Sequence, residues 1–135
     1  MRYLKLTLLD MELKGLPPTV NQMYRTSRTC VRYKTQKAKD YQQYAVKAMQ
    51  AAHLVPYTFK GRVVLSVKFY DSEKRKWDLD NRLKVLQDCL QLAGIIKDDS
   101  QIDFLNVERE KYSGESRTSI TVISLIEVSS EGYTP

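Results

Sequence analysis

The chain opens on an alternation. In "YLKLTLL" (residues 3–9) apolar side chains recur at every second position, the signature of a strand with one buried face. "GLPPTVN" (15–21) ends it, because tandem prolines cannot donate to a ladder. Residues 25–34 show no period and read as a long loop. From Thr35 the spacing changes. Ala38, Tyr41, Ala45, Ala48, Met49 and Ala52 fall three and four apart, which predicts an amphipathic helix ending near His53. "RVVLSVKFYD" (62–71) alternates again and is β-branched, so it reads as a second strand. Leu79, Leu83, Leu86 and Leu90 then mark a second helix, with Gly94 as its C-terminal cap. "IIKDDSQ" (95–101) is a turn, and "DFLNVEREKY" and "TSITVISLIEV" read as an antiparallel pair joined across Ser113 and Gly114. Residues 129–135 look like a frayed tail.

The predicted order is β-α-β-α-β-β in a single domain over 1–135. The expected class is α+β or α/β, with two helices against one mixed four-stranded sheet. A length of 135 residues suits one core and not two. Apolar runs fall far short of a membrane span of about 20 residues, and the N-terminus lacks the apolar core of a signal peptide, so a cytoplasmic protein without membrane contact is expected. Cys30 and Cys89 read as free thiols, and with His53 as the only histidine a structural zinc site or a catalytic triad has almost nothing to be built from. His53 itself reads as a solvated or partly packed helix-end residue. No phosphate-cradling glycine motif is present, so no nucleotide cofactor is expected.

Charge narrows the picture. The net charge is +6, from 22 basic and 16 acidic residues. The excess is uneven: "RTSRTCVRYKTQKAK" (25–39) carries no acid, and Lys74, Arg75 and Lys76 form a second cluster. Clustered cations favour a polyanionic partner, nucleic acid by default. Arg25, Arg28, Arg32, Lys34, Lys74, Arg75 and Lys76 are the expected phosphate contacts.

In "KRKWDLDNRLK" (74–84) the second cluster runs directly into Asp78 and Asp80. Residues two apart in extended chain face the same way, so at a strand-to-helix junction the two carboxylates can converge. Lys84 lies one helical turn beyond Asp80, and Asp98 and Asp99 follow the helix, where the reversal at Gly94 can return them towards the sheet. Converging carboxylates repel unless a cation joins them. Mg²⁺ prefers such hard oxygen ligands and completes its shell with water and phosphate. Lys84 can neutralise transition-state charge or position a carboxylate. Asp88, two turns from Asp80, reads as a polar-face residue. A plainer reading exists for each part: Asp80 is a good N-cap, and "KDDSQ" is ordinary turn chemistry.

The stretch "WDLDNRLKVLQDCLQLAGIIKDDSQI" (77–102) resembles the RusA family of Holliday junction resolvases, small crossover junction endodeoxyribonucleases common in prophages. The resemblance rests on Asp78, Asp80, Asn81, Lys84, Gly94, Asp98, Asp99, Gln101 and Ile102, and on "PPTVNQMYR" with Pro17, Pro18, Asn21 and Tyr24. It runs from Leu6 to about Ile126. It implies a homodimeric, phage- or prophage-encoded, Mg²⁺-dependent endonuclease, with Mn²⁺ as a substitute, that resolves four-way DNA junctions in recombination and repair. It also implies that Asp78, Asp80 and Asp99 are the metal-binding catalytic acids, Asp98 a helper and Lys84 the essential lysine. Trp77 departs from the family by interrupting the basic run. It can stack on an unpaired base as part of the DNA-binding set, or pack beneath the loop. Two other functions compete: a non-catalytic DNA-binding or regulatory phage protein of the same fold, and a metal-dependent nuclease for flaps or RNA.

Overall fold

A computed structural model describes residues 2–73 and 76–128. Strands β1 (Arg2–Leu4) and β2 (Thr7–Lys14) come first, then α1 (Val20–Met23) and the short strands β3 (Tyr24–Thr26) and β4 (Arg32–Lys34). Helix α2 (Gln36–Ala52), strand β5 (Arg62–Asp71) and helix α3 (Leu79–Leu92) follow. A 3-10 turn (Asp99–Gln101) leads into β6 (Ile102–Lys111) and β7 (Arg117–Val128).

The main sheet is mixed. β7 lies between β5 and an edge shared by β1 and β2, which pair with different lengths of β7, so five strands fill four positions. β5 pairs antiparallel with β7 and parallel with β6. A parallel pair needs a crossover, and α3 supplies it. The expected α+β class and four-stranded mixed sheet are what the chain forms. The expected β6–β7 hairpin is not. β5 sits between those strands, and residues 112–116 step across its end, held where Tyr112 N–H donates to the Asp71 carbonyl (2.9 Å) and the Ser72 and Ser116 hydroxyls meet at 2.7 Å.

The periodic positions face one core. Val63, Leu65, Val67 and Phe69 of β5, Ile120 and Val122 of β7 and Leu8, Leu9 and Leu13 pack with Ala45 and Met49 of α2 and Leu83, Leu86 and Leu90 of α3. Thr35 begins α2 by accepting the Ala38 N–H (3.2 Å), and Gly94, at φ +76°, ends α3 in the left-handed region that glycine tolerates.

Residues 25–34 also depart from expectation. They form a small antiparallel hairpin, β3 with β4, in register Arg25↔Tyr33 and Thr26↔Arg32. Before it, Thr19 and Gln22 make a capping box for α1. The T-x-x-Q spacing announces that turn in the sequence. The tail 129–135 lies outside the described residues.

Candidate active site

The loop between β5 and α3 is anchored from below. Asp71, the last residue of β5, is buried, and its carboxylate accepts the Trp77 Nε1–H (2.8 Å) and the Glu73 backbone N–H (2.7 Å). The Trp77 ring is 8% exposed and meets Phe69 edge-on, at a centroid distance of 5.3 Å. Two guanidiniums lie over it, Arg82 at 4.7 Å and Arg109 at 4.5 Å from the centroid. Arg82, itself buried, donates to the Pro17 carbonyl (2.6 Å) and the Glu73 carboxylate (2.9 Å). Arg109 donates to the Trp77 carbonyl (2.8 Å). Of the two roles open to Trp77, packing is the one its burial displays. Lys76 lines two cavities beside this loop, one of about 770 Å³ with Arg109 and Lys111, one of about 570 Å³ with Lys37 and Arg82.

Asp78 comes next and is the N-cap of α3, two residues ahead of the expected helix start at Asp80. Its side chain makes no capping hydrogen bond, so the carboxylate is exposed and not spent on the helix. Asp80 is exposed in the first turn. The two acids therefore share one helix end, where the macrodipole favours negative charge. Lys84 stands exposed a turn later and borders a cavity of about 190 Å³ with Tyr24, Arg32 and Asp88.

Asp98 and Asp99 lie beyond the other end of α3, about 20 Å away by the rise of its 14 residues. Among the described residues, no three Asp, Glu, His or Cys side chains come together as a metal site. The Asp99 charge is felt instead at Asp88. Burial pushes the Asp88 carboxyl up, Lys84 pulls it down, Asp99 pushes it up and Lys34 pulls it down. Asp88 is half-buried and lines the small cavity with Lys84. Asp98 is held below the usual carboxylate range, chiefly by the hydrogen bond from the Ser100 hydroxyl.

The hairpin presents Arg25, Arg28 and Arg32 to solvent, with Arg32 over the Tyr24 ring (3.9 Å). Lys34 is half-buried and donates to Gln42 (2.9 Å). Lys76 is exposed, while Lys74 and Arg75 lie outside the described residues. His53 caps the end of α2 partly packed, and burial lowers its pKa. Both cysteines are free: Cys30 is exposed, and burial pushes the Cys89 thiol up to about 12. Asp71, Arg82 and Arg109 are the site residues that pattern reading missed. Arg82 alone left a trace, since Val85 and Cys89 follow it at i+3 and i+7 and continue a buried row.

A basic hairpin stands beside a helix that exposes carboxylates at its N-cap, Asp78, and in its first turn, Asp80. Residues 15–123 match the family described as Endodeoxyribonuclease RusA, and the chain belongs to that family. It is therefore of a nuclease family that acts on DNA, as the resemblance implied. A search of the curated proteins finds no match. Among the described residues, no helix is long and apolar enough to cross a membrane.

Proposed function

We propose that the chain is a Mg²⁺-dependent endonuclease that resolves four-way DNA junctions as a homodimer, by paired symmetric cuts. One observation carries the reading: Asp78 and Asp80 stand exposed at the start of α3, on a loop fixed by the buried Trp77 and beside cation-lined cavities, in a chain of the RusA family. The donors fit a hard divalent cation, being carboxylates with the N-cap oxygens left free of the helix. Asp78 and Asp80 would hold it with Asp99, and Asp98 would assist. When bound, such a cation polarises a phosphodiester and makes water a better nucleophile.

The chain's own residues do the rest. Arg25, Arg28 and Arg32 on the hairpin, with Lys76, hold the phosphate backbone against a centre that is itself negative. Lys84, a turn from Asp80, offsets charge that builds on the scissile phosphate. One chain keeps Asp78–Asp80 and Asp98–Asp99 at opposite ends of α3, so the acid set closes only if a second copy brings its own distal pair. A dimer also matches the approximate two-fold symmetry of a junction and provides two sites.

Subunit mixing tests this. Asp80→Asn and Asp99→Asn proteins should each be inactive alone yet bind junctions. Unfolded and refolded together, they should regain cleavage, because each mixed dimer rebuilds one site. That activity should nick one strand and not cut both. If the mixture stays inactive while wild-type protein treated identically cleaves, the acids of one site come from one chain.

A further inference from the structure

Trp77 and the groups around it form a device that the phosphate-binding and acidic residues do not account for. The ring is the chain's single tryptophan, and it is buried immediately before Asp78. Its indole N–H and its carbonyl are tied to different elements. Nε1–H goes to Asp71 at the end of β5, and the carbonyl receives Arg109 from β6. Arg82 from α3 lies over the ring and reaches on to Pro17 and Glu73. The peptide whose carbonyl Arg109 holds is the one whose nitrogen belongs to Asp78. Rotation of that peptide would re-aim the N-cap carboxylate and break the first turn of α3.

We infer that Asp71, Trp77 and Arg109 are positioning residues that fix the peptide before Asp78 and so set how well the Asp78–Asp80 turn accepts a divalent cation. The inference rests on the metal-dependent reading above. It assigns Trp77 no contact with DNA. Arg109 has two faces: its guanidinium borders the cation-lined cavity with Lys76 and Lys111, yet one of its N–H groups is spent on the protein's own backbone. A residue kept only for phosphate would leave that group free.

Arg109 is exposed, so its replacement should leave the fold intact. The test uses full-length wild type, Arg109→Ala, Arg109→Lys and Trp77→Phe, with Mn²⁺ alone as the probe and loss of the free-ion electron paramagnetic resonance signal as the readout. Junction affinity without metal is measured in parallel. Arg109→Ala should weaken Mn²⁺ binding about five-fold or more while junction affinity changes less than about three-fold. Arg109→Lys, which keeps one donor for the carbonyl, should recover most of the loss. Trp77→Phe keeps an aromatic side chain but not the donor to Asp71, and should weaken Mn²⁺ binding with junction affinity unchanged. If Arg109→Ala binds Mn²⁺ like wild type and loses only junction affinity, Arg109 is a phosphate contact and the inference fails alone. If wild type neither binds Mn²⁺ nor needs a divalent ion to cleave, the metal-dependent reading fails and takes the inference with it.

Discussion

Tyr41 carries a hydroxyl buried without a hydrogen-bond partner. Burial, with smaller pushes from Cys89 and Tyr44 and against a pull from Arg82, holds its pKa well above the usual range. An unpaired buried hydroxyl is a net cost. Tyr41→Phe should therefore raise stability, by up to about 1 kcal/mol, read as a higher urea midpoint at constant slope. A loss of that size would mean that the hydroxyl has a partner. Single residues are also where pattern reading had least to work with. Periodicity found Ala38, Ala45 and Met49 because an apolar side chain on a helix face announces its own burial. Arg82 and Asp71 are buried with polar partners, Pro17 65 positions away and Trp77 six away, and neither pairing follows the period of a helix or a strand. The Asp78–Asp80 spacing was legible for the opposite reason. Its chemistry is local to one turn, whereas the place of Asp99 depends on how long α3 is and which way it runs.

Elements were legible in proportion to their length. β5, α2 and α3 each carry enough repeats to fix a period, and their predicted and observed bounds agree closely. β3 and β4 have three residues each, too few for any period, and a two-stranded ribbon alone is marginal in water. Tethering secures this one: Thr35 N–H donates to the Met23 carbonyl (3.0 Å) and its hydroxyl to the Gln22 carbonyl (2.9 Å), closing the base of the hairpin against α1. Ser113 and Gly114 do mark a reversal, but a turn signal says only that the chain turns, not which strand it turns to. Here it turns past β5. The hairpin's proposed role gives an element-scale prediction. Arg28 and Arg32 are exposed on a tethered scaffold, so Arg28→Glu with Arg32→Glu should leave the thermal midpoint nearly unchanged. It should weaken junction binding and flatten the dependence of log K on log salt, by about 0.9 for each phosphate no longer neutralised. An unchanged slope and affinity would make the hairpin a solvated ornament of α1.

At the scale of the whole molecule, the proposed dimer requires a surface on which two copies can meet. β6 ends the sheet order, and along it Phe104 is 60% and Leu105 48% exposed. A long edge strand with apolar side chains on both faces invites pairing. Its direction matters more. β6 starts beside Asp99 and ends at Arg109–Lys111, next to the Trp77 loop that leads into Asp78. Antiparallel pairing of two β6 strands about a dyad would therefore bring the Asp98–Asp99 end of one copy to the Asp78–Asp80 end of the other, twice over. Phe104→Asp places a charge within that edge on a side chain too exposed to matter to the isolated fold. It should lower the sedimenting mass to that of one chain and abolish cleavage together, while circular dichroism is unchanged and stability stays within about 1 kcal/mol of wild type. A Phe104→Asp protein that still sediments as a dimer and still cuts both strands would move the interface elsewhere. One that sediments as a monomer and still cuts would show that a single chain closes the acid set after all.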